Sequence, residues 1–160
     1  MSGGSSKLAR MGDRTGMRDL IAHAAGLGVA VHLAHIERPY VGFYDPDHRR
    51  VVVDFGLRAT RLRSVLAHEL GHAYYDHRCH GDLNAERQAD AYAARLLIDP
   101  EAYSRAEAYT LDPEVIADEL GVTVKILRAF QQTCLTRIGS VTYTAAKMGV
   151  GQWSHRAEAV

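Results

Sequence analysis

The sequence predicts an α+β domain that is mainly helical. A small three-stranded antiparallel sheet is expected beside one principal helix, with a helix-turn-helix-like helical segment toward the C-terminus. Three observations predict this. Apolar residues recur at helical spacing through most of residues 17–130. Strand-like runs cluster between residues 29 and 54, with one weaker run near residue 140. A chain of 160 residues, 47% hydrophobic and 24% charged, suits one compact core with a modest appendage.

Taken in order, residues 1–15 are rich in Gly, Ser and basic side chains and are expected to form a flexible tail. Met17, Leu20, Ile21, Ala24 and Leu27 follow helical spacing, with Gly26 and Gly28 marking the stop. Val29–Ile36 alternates like a strand, placing His32 and His35 on opposite faces in packing or surface roles. Gly42–Tyr44 and Arg50–Asp54 read as a hairpin around Asp45-Pro46-Asp47-His48. A long helix is expected from Arg58 to Tyr75. Arg49, Arg50, Arg58, Arg61 and Arg63 make the densest positive charge, favoured as a solvated face over a patch for an acidic partner. The next helix, Ala85–Ile98, should open at a cap on Asp82 or Asn84. Asp99-Pro100 and Asp112-Pro113 each place a capping acid before a first-turn proline, so each opens another helix. Val115–Phe130 should break at Gly121, and Ile138–Tyr143 is a candidate strand. The last stretch, with Gly149, Gly151 and Trp153, is expected to be loosely held. The expected divisions are a tail over 1–15, a principal domain over 16–110, the helix-turn-helix-like part over 111–137, and a strand with a tail over 138–160.

Composition narrows the function. Nineteen basic and nineteen acidic residues cancel, so no global field draws the chain to nucleic acid or an anionic membrane. No run approaches the roughly 18 apolar residues of a membrane span, and Met1–Lys7 lacks the apolar core of a signal peptide. Cys79 and Cys134 are too few for a disulfide framework, which suits a reducing compartment. The expected location is the cytoplasm.

The chemistry concentrates in His68-Glu69-Leu70-Gly71-His72. On a helix, residues four apart share a face, so His68 and His72 can offer nitrogens to one metal ion. Glu69 lies beside that ion as a general base. This is the H-E-x-x-H pattern of zinc metallopeptidases, and it predicts a zincin-like domain with one zinc ion. A buried structural pair of histidines is the bland alternative. On the following helix Glu86 and Asp90 are also four apart, with Ala89, Ala93, Leu96 and Leu97 beside them. Glu86 would complete a His₂Glu ligand set, and Asp90 would accept a hydrogen bond from a ligating histidine. His77, His80 and Cys79 in the intervening loop compete as third ligands. Zinc would activate a water for attack and Glu69 would take its proton. Tyr74, Tyr75, Tyr92, Tyr103 and His80 are the candidates to stabilise the transition state. The edge of the Gly42–Asp54 hairpin is the candidate substrate-binding strand.

With its second half, Glu86-Arg-Gln-Ala-Asp90-Ala-Tyr-Ala-Ala-Arg-Leu-Leu-Ile-Asp-Pro100, the chain resembles the ImmA/IrrE family of zinc metallopeptidases over about residues 16–130. Tyr92 stands where that family usually has Phe, and Ile98-Asp99 precede Pro100 where one residue is usual. The resemblance implies that His68, His72 and Glu86 bind zinc, Glu69 is catalytic and Asp90 supports a ligand. It implies a cytoplasmic endopeptidase that cleaves a helix-turn-helix repressor and so derepresses a prophage, mobile element or stress regulon. The short chain looks more like the phage or mobile-element type. The segment Val115–Phe130 itself reads like a helix-turn-helix, but over residues 112–128 four acids face two bases. Phosphate contacts need the opposite balance, so structural or repressor-docking use is expected rather than DNA binding. Two other readings stay open: a non-catalytic, zinc-stabilised regulator and a protease of wide specificity.

Overall fold

The computed structural model describes residues 15–78, 81–138, 141–144 and 155–158. In chain order its elements are α1 (Met17–Gly26), β1 (Ala30–Ala34), β2 (Gly42–Asp45), β3 (Arg50–Asp54), α2 (Ala59–Tyr74), α3 (Leu83–Leu97), α4 (Pro100–Tyr109), α5 (Pro113–Leu120), α6 (Val124–Thr133), β4 (Leu135–Ile138), β5 (Val141–Thr144) and β6 (His155–Glu158). The architecture is α+β and mainly helical, as expected. No helix among the described residues is long and apolar enough to cross a membrane.

Three consecutive valines organise the first sheet. Val51, Val52 and Val53 are all buried, as suits a central strand covered on both faces. The strand order is β1-β3-β2. β2 runs antiparallel to β3, with Gly42 opposite Val53, whereas β1 runs parallel to it, with Ala30 opposite Arg50. The sheet is therefore mixed, which corrects the expected antiparallel one. A simple meander would have put β2 in the middle. β3 carries the apolar run and takes the centre instead, and a strand on its other side that opposes β2 in direction must be parallel to β3. The β2–β3 turn is the expected hairpin: the Asp45 carboxylate accepts from the backbone N–H of His48 at 3.3 Å and from Arg50 Nε at 3.0 Å.

Three of the helices, α3, α4 and α5, begin where a short acid stops the backbone. Asp82 caps α3 by accepting from Asn84 N at 2.8 Å, which decides between the two expected caps. Asp99 accepts from Ala102 N at 3.1 Å and Asp112 from Glu114 N at 2.9 Å, each ahead of a first-turn proline. α5 stops at Gly121, whose φ of 65° is left-handed, and α6 starts three residues later. Ala117, Leu120, Val122 and Leu127 around that turn are buried in the main core.

Part of the arginine cluster has structural work that its charge did not reveal. Arg63 donates through Nε to Thr15 O and through Nη1 to Gly121 O, both at 2.9 Å, tying α2 to both ends of the fold. Arg49 donates to Leu27 O at 2.7 Å. A second sheet, β4-β5-β6, is antiparallel throughout. The strand expected over residues 138–143 is thus shared between β4 and β5, and β6 lies in the stretch expected to be loosely held. His155-Arg-Ala-Glu158 has no apolar alternation, and a strand that draws its bonds only from a neighbour leaves little local signature. Gly149, Gly151 and Trp153 lie outside the described residues, as do residues 1–14.

α2 packs against β2 and β3 on one side and against α3 on the other. The α2–α3 contact is tight at Gly71, where an added Cβ would stand 2.8 Å from Ala89 Cα and 2.9 Å from Ala89 O. Both obstacles are backbone, so no side-chain rotation relieves them. Gly71→Ala is expected to push the two helices apart and to cost about 1–3 kcal/mol. Urea denaturation checks this; an unchanged midpoint would show that the helices do not rely on the missing Cβ.

Candidate metal centre

His68 and His72 lie one turn apart on α2, and their Nε2 atoms meet at 3.0 Å. Glu86 closes the group from α3, with Oε2 3.2 Å from His68 Nε2 and Oε1 3.3 Å from His72 Nε2. Among the described residues this is the one group of three or more His, Cys, Asp or Glu side chains whose ligand atoms all fall within 4.8 Å of one another. Tetrahedral bonds of about 2.0–2.1 Å separate ligand atoms by about 3.3 Å, so the spacing suits a small divalent ion. The histidine side chains are 13% and 11% exposed and that of Glu86 37%, so the group opens toward solvent on the Glu86 side.

The far nitrogens of both histidines are engaged. Asp90 Oδ1 accepts from His68 Nδ1 at 2.7 Å, and Lys125 Nζ donates to the same oxygen at 3.0 Å. Burial raises the Asp90 pKa, but the bonds from His68 and Lys125 outweigh it and hold the carboxyl below its ordinary range. With His68 Nδ1–H donating, Nε2 keeps its lone pair for a metal. The other arm contains no carboxylate: His72 Nδ1 lies 2.9 Å from His77 Nδ1, and His77 Nε2 lies 2.9 Å from Gln88 Oε1.

Glu69, next to His68, lies in the wall of a cleft of about 380 Å³ that also includes Val41, Arg61, Val65, Lys125 and Ile126. Burial raises its pKa to about 7; the negative charge of Glu86 adds to the rise, while His68, the Tyr44 backbone N–H and Lys125 oppose it. The Tyr44 contact follows from the pairing of β2. Asp54 N donates to Val41 O, which places Phe43 in a hydrogen-bonded pair and leaves the N–H groups of Gly42 and Tyr44 pointing off the sheet. A Cβ on Gly42 would lie 2.6 Å from Val65 Cγ1 and 3.5 Å from Glu69 Cγ. That glycine lets the strand edge run against α2 beside the carboxylate.

The other expected candidates fall in different places. His77 points to the far nitrogen of His72, so it stands behind that histidine and outside the His68, His72 and Glu86 group. Tyr92 is buried, and its hydroxyl bonds His23 Nε2. Burial, with Tyr74 and Tyr75 nearby, drives the Tyr92 hydroxyl pKa far up. Tyr103 is also buried; its hydroxyl donates to Glu107 at 2.9 Å and accepts from Gln131 at 3.1 Å. Tyr74 and Tyr75 are exposed, and Tyr75 stacks on the His77 ring. His80 and Cys79 lie outside the described residues. Two residues of the centre escape a sequence reading altogether. Gln88 is an exposed polar residue on a helix, and Lys125 is one of two bases in an acidic segment; neither matches a spacing rule.

Comparison with known proteins adds one finding. The profile of the IrrE N-terminal-like domain, peptidase family M78, matches residues 24–130. No curated protein matches the chain significantly.

A pH dependence follows from Glu69. The unfolded chain releases this proton near the ordinary carboxylate range, whereas the fold holds it to about pH 7. Folding is therefore penalised above pH 7 and not below about 4.5, so this group removes stability as pH rises through that window. In metal-free protein, Glu69→Gln is expected to raise stability at pH 8 by about 1–3 kcal/mol and to change little at pH 4. Urea melts at the two pH values check it, and equal effects at both would refute the buried-acid account.

Proposed function

The chain belongs to the ImmA/IrrE family of peptidases through its IrrE N-terminal-like domain, and from that premise we propose that it is a zinc endopeptidase of regulatory type that cleaves a helix-turn-helix repressor. The observation that carries the reading is the convergence of His68, His72 and Glu86 on one point, with the Glu69 carboxylate at the cleft beside them. Two imidazole nitrogens and a carboxylate, open on one side, are a donor set that zinc favours in catalytic sites. When bound, zinc supplies Lewis acidity that polarises the scissile carbonyl and makes water a better nucleophile.

The chain's own residues divide the remaining work. Asp90 orients His68, and Lys125 offsets the charge of Asp90. The Glu69 carboxylate takes the proton of the attacking water and delivers it to the leaving amine. A base with a pKa near neutrality suits both transfers. The Tyr44 N–H is held by Glu69, and the outward N–H of Gly42 leaves β2 an edge along which an extended peptide can add as a further strand. Such docking requires the substrate backbone to be extended, so the cut falls in a linker or opened loop of the repressor rather than inside a helix. Acidic residues outnumber basic ones in the α5–α6 segment, which favours contact with the repressor over contact with DNA.

Co-expression with a candidate helix-turn-helix repressor tests the proposal. A discrete cut is expected that a zinc chelator abolishes. Glu69→Gln should bind zinc normally yet lose about 100-fold or more of the cleavage rate. Cleavage at an undiminished rate by that variant would remove Glu69 from the chemistry.

A further inference from the structure

We propose that His77 and Gln88 form a positioning pair that sets the tautomer of His72 and through it the metal affinity of the centre. The inference rests on the metal-binding reading above and adds two residues to it. An amide oxygen only accepts hydrogen bonds. Gln88 Oε1, 2.9 Å from His77 Nε2, therefore places the His77 proton on Nε2. A neutral imidazole with its proton there has a bare Nδ1. That bare nitrogen lies 2.9 Å from His72 Nδ1, so His72 donates through Nδ1–H. The lone pair of His72 is left on Nε2, the atom that faces His68 and Glu86. Gln88 thus sets His77, and His77 sets His72.

The backbone builds this arm deliberately. At the end of α2, His77 N donates to His72 O at 3.0 Å and Asp76 N to Ala73 O at 3.2 Å. Asp76 has a left-handed φ of 51°. This is a Schellman turn with Asp where Gly is usual, and it folds His77 back over the histidine five residues before it. Tyr75 stacks against the His77 ring, with centroids 5.4 Å apart and planes 16° apart. Gln88 comes from α3, two residues after Glu86, so the same helix supplies a ligand and the far end of the relay. His68 is held by a carboxylate and His72 by a neutral pair, and the two ligands are therefore tuned by different chemistry.

Zinc affinity, measured by competition with a chromophoric chelator, is the test, with thermal melts as a control. His77→Phe keeps a ring to stack on Tyr75 and removes both nitrogens; Gln88→Leu removes the acceptor from an exposed position. His77→Phe should keep its melting temperature in the metal-free state and bind zinc about 10–100-fold more weakly. Gln88→Leu should show a smaller loss, and the double variant should bind no more weakly than His77→Phe alone, because the relay is one unit. Wild-type affinity in His77→Phe, or losses that simply multiply in the double variant, would overturn the inference. Should His77→Phe fail to fold, Gln88→Leu alone decides, and undiminished affinity there overturns it. A wild-type protein that binds no zinc would instead overturn the metal reading beneath it.

Discussion

The centre depends on how near α2 and α3 lie at Gly71 and Ala89. His68 and His72 belong to one helix and Glu86 and Asp90 to the next, so the group that could hold a metal ion does not assemble until the two helices lie together. An added Cβ at Gly71 would meet the backbone of Ala89 at 2.8 Å, which makes hydrogen the only side chain the contact admits. Ala89 sits between Glu86 and Asp90 in sequence, so this tight approach lies among the residues that must reach across. The glycine inside the His-Glu-Leu-Gly-His run is thus a packing residue, and it serves the chemistry by bringing the second helix within reach.

Around that contact the fold places charge with some economy. Two histidines and three carboxylates crowd together, and bare carboxylates at this density would repel one another. Lys125, from α6, bonds to Asp90, and the Tyr44 N–H from the outer edge of β2 supports Glu69. The sheet and the C-terminal helices each contribute one donor to a site whose ligands they do not carry. Removing either element would leave His68, His72 and Glu86 in the sequence and take a donor from the carboxylates around them.

Much of this was legible in advance, and for local reasons. The helix starts at Asp82, Asp99 and Asp112 follow from a short acid and, in two of them, a following proline. The pairings His68 with His72 and Glu86 with Asp90 follow from helical periodicity alone. The mixed order of the sheet did not, because the β2–β3 turn is encoded locally while the side on which β1 joins depends on which strand is buried most. Gln88 and Lys125, and the position of His77 behind His72, were hidden for a related reason. Each acts through a contact with a residue 5 to 35 positions away in the chain, and an exposed Gln or Lys looks the same in sequence whether or not that contact exists.

By itself, then, the sequence determined the chemistry: which residue types stand four apart, which helices carry them, and which family they resemble. Helical periodicity and capping act over a few residues, so they can be read from a few residues. The tertiary structure alone decided the environment: the approach at Gly71, the His77–Gln88 arm behind His72, the lysine on Asp90 and the strand edge beside Glu69. These arise where distant segments meet, and backbone closeness, burial and hydrogen-bond direction exist only once the segments are packed.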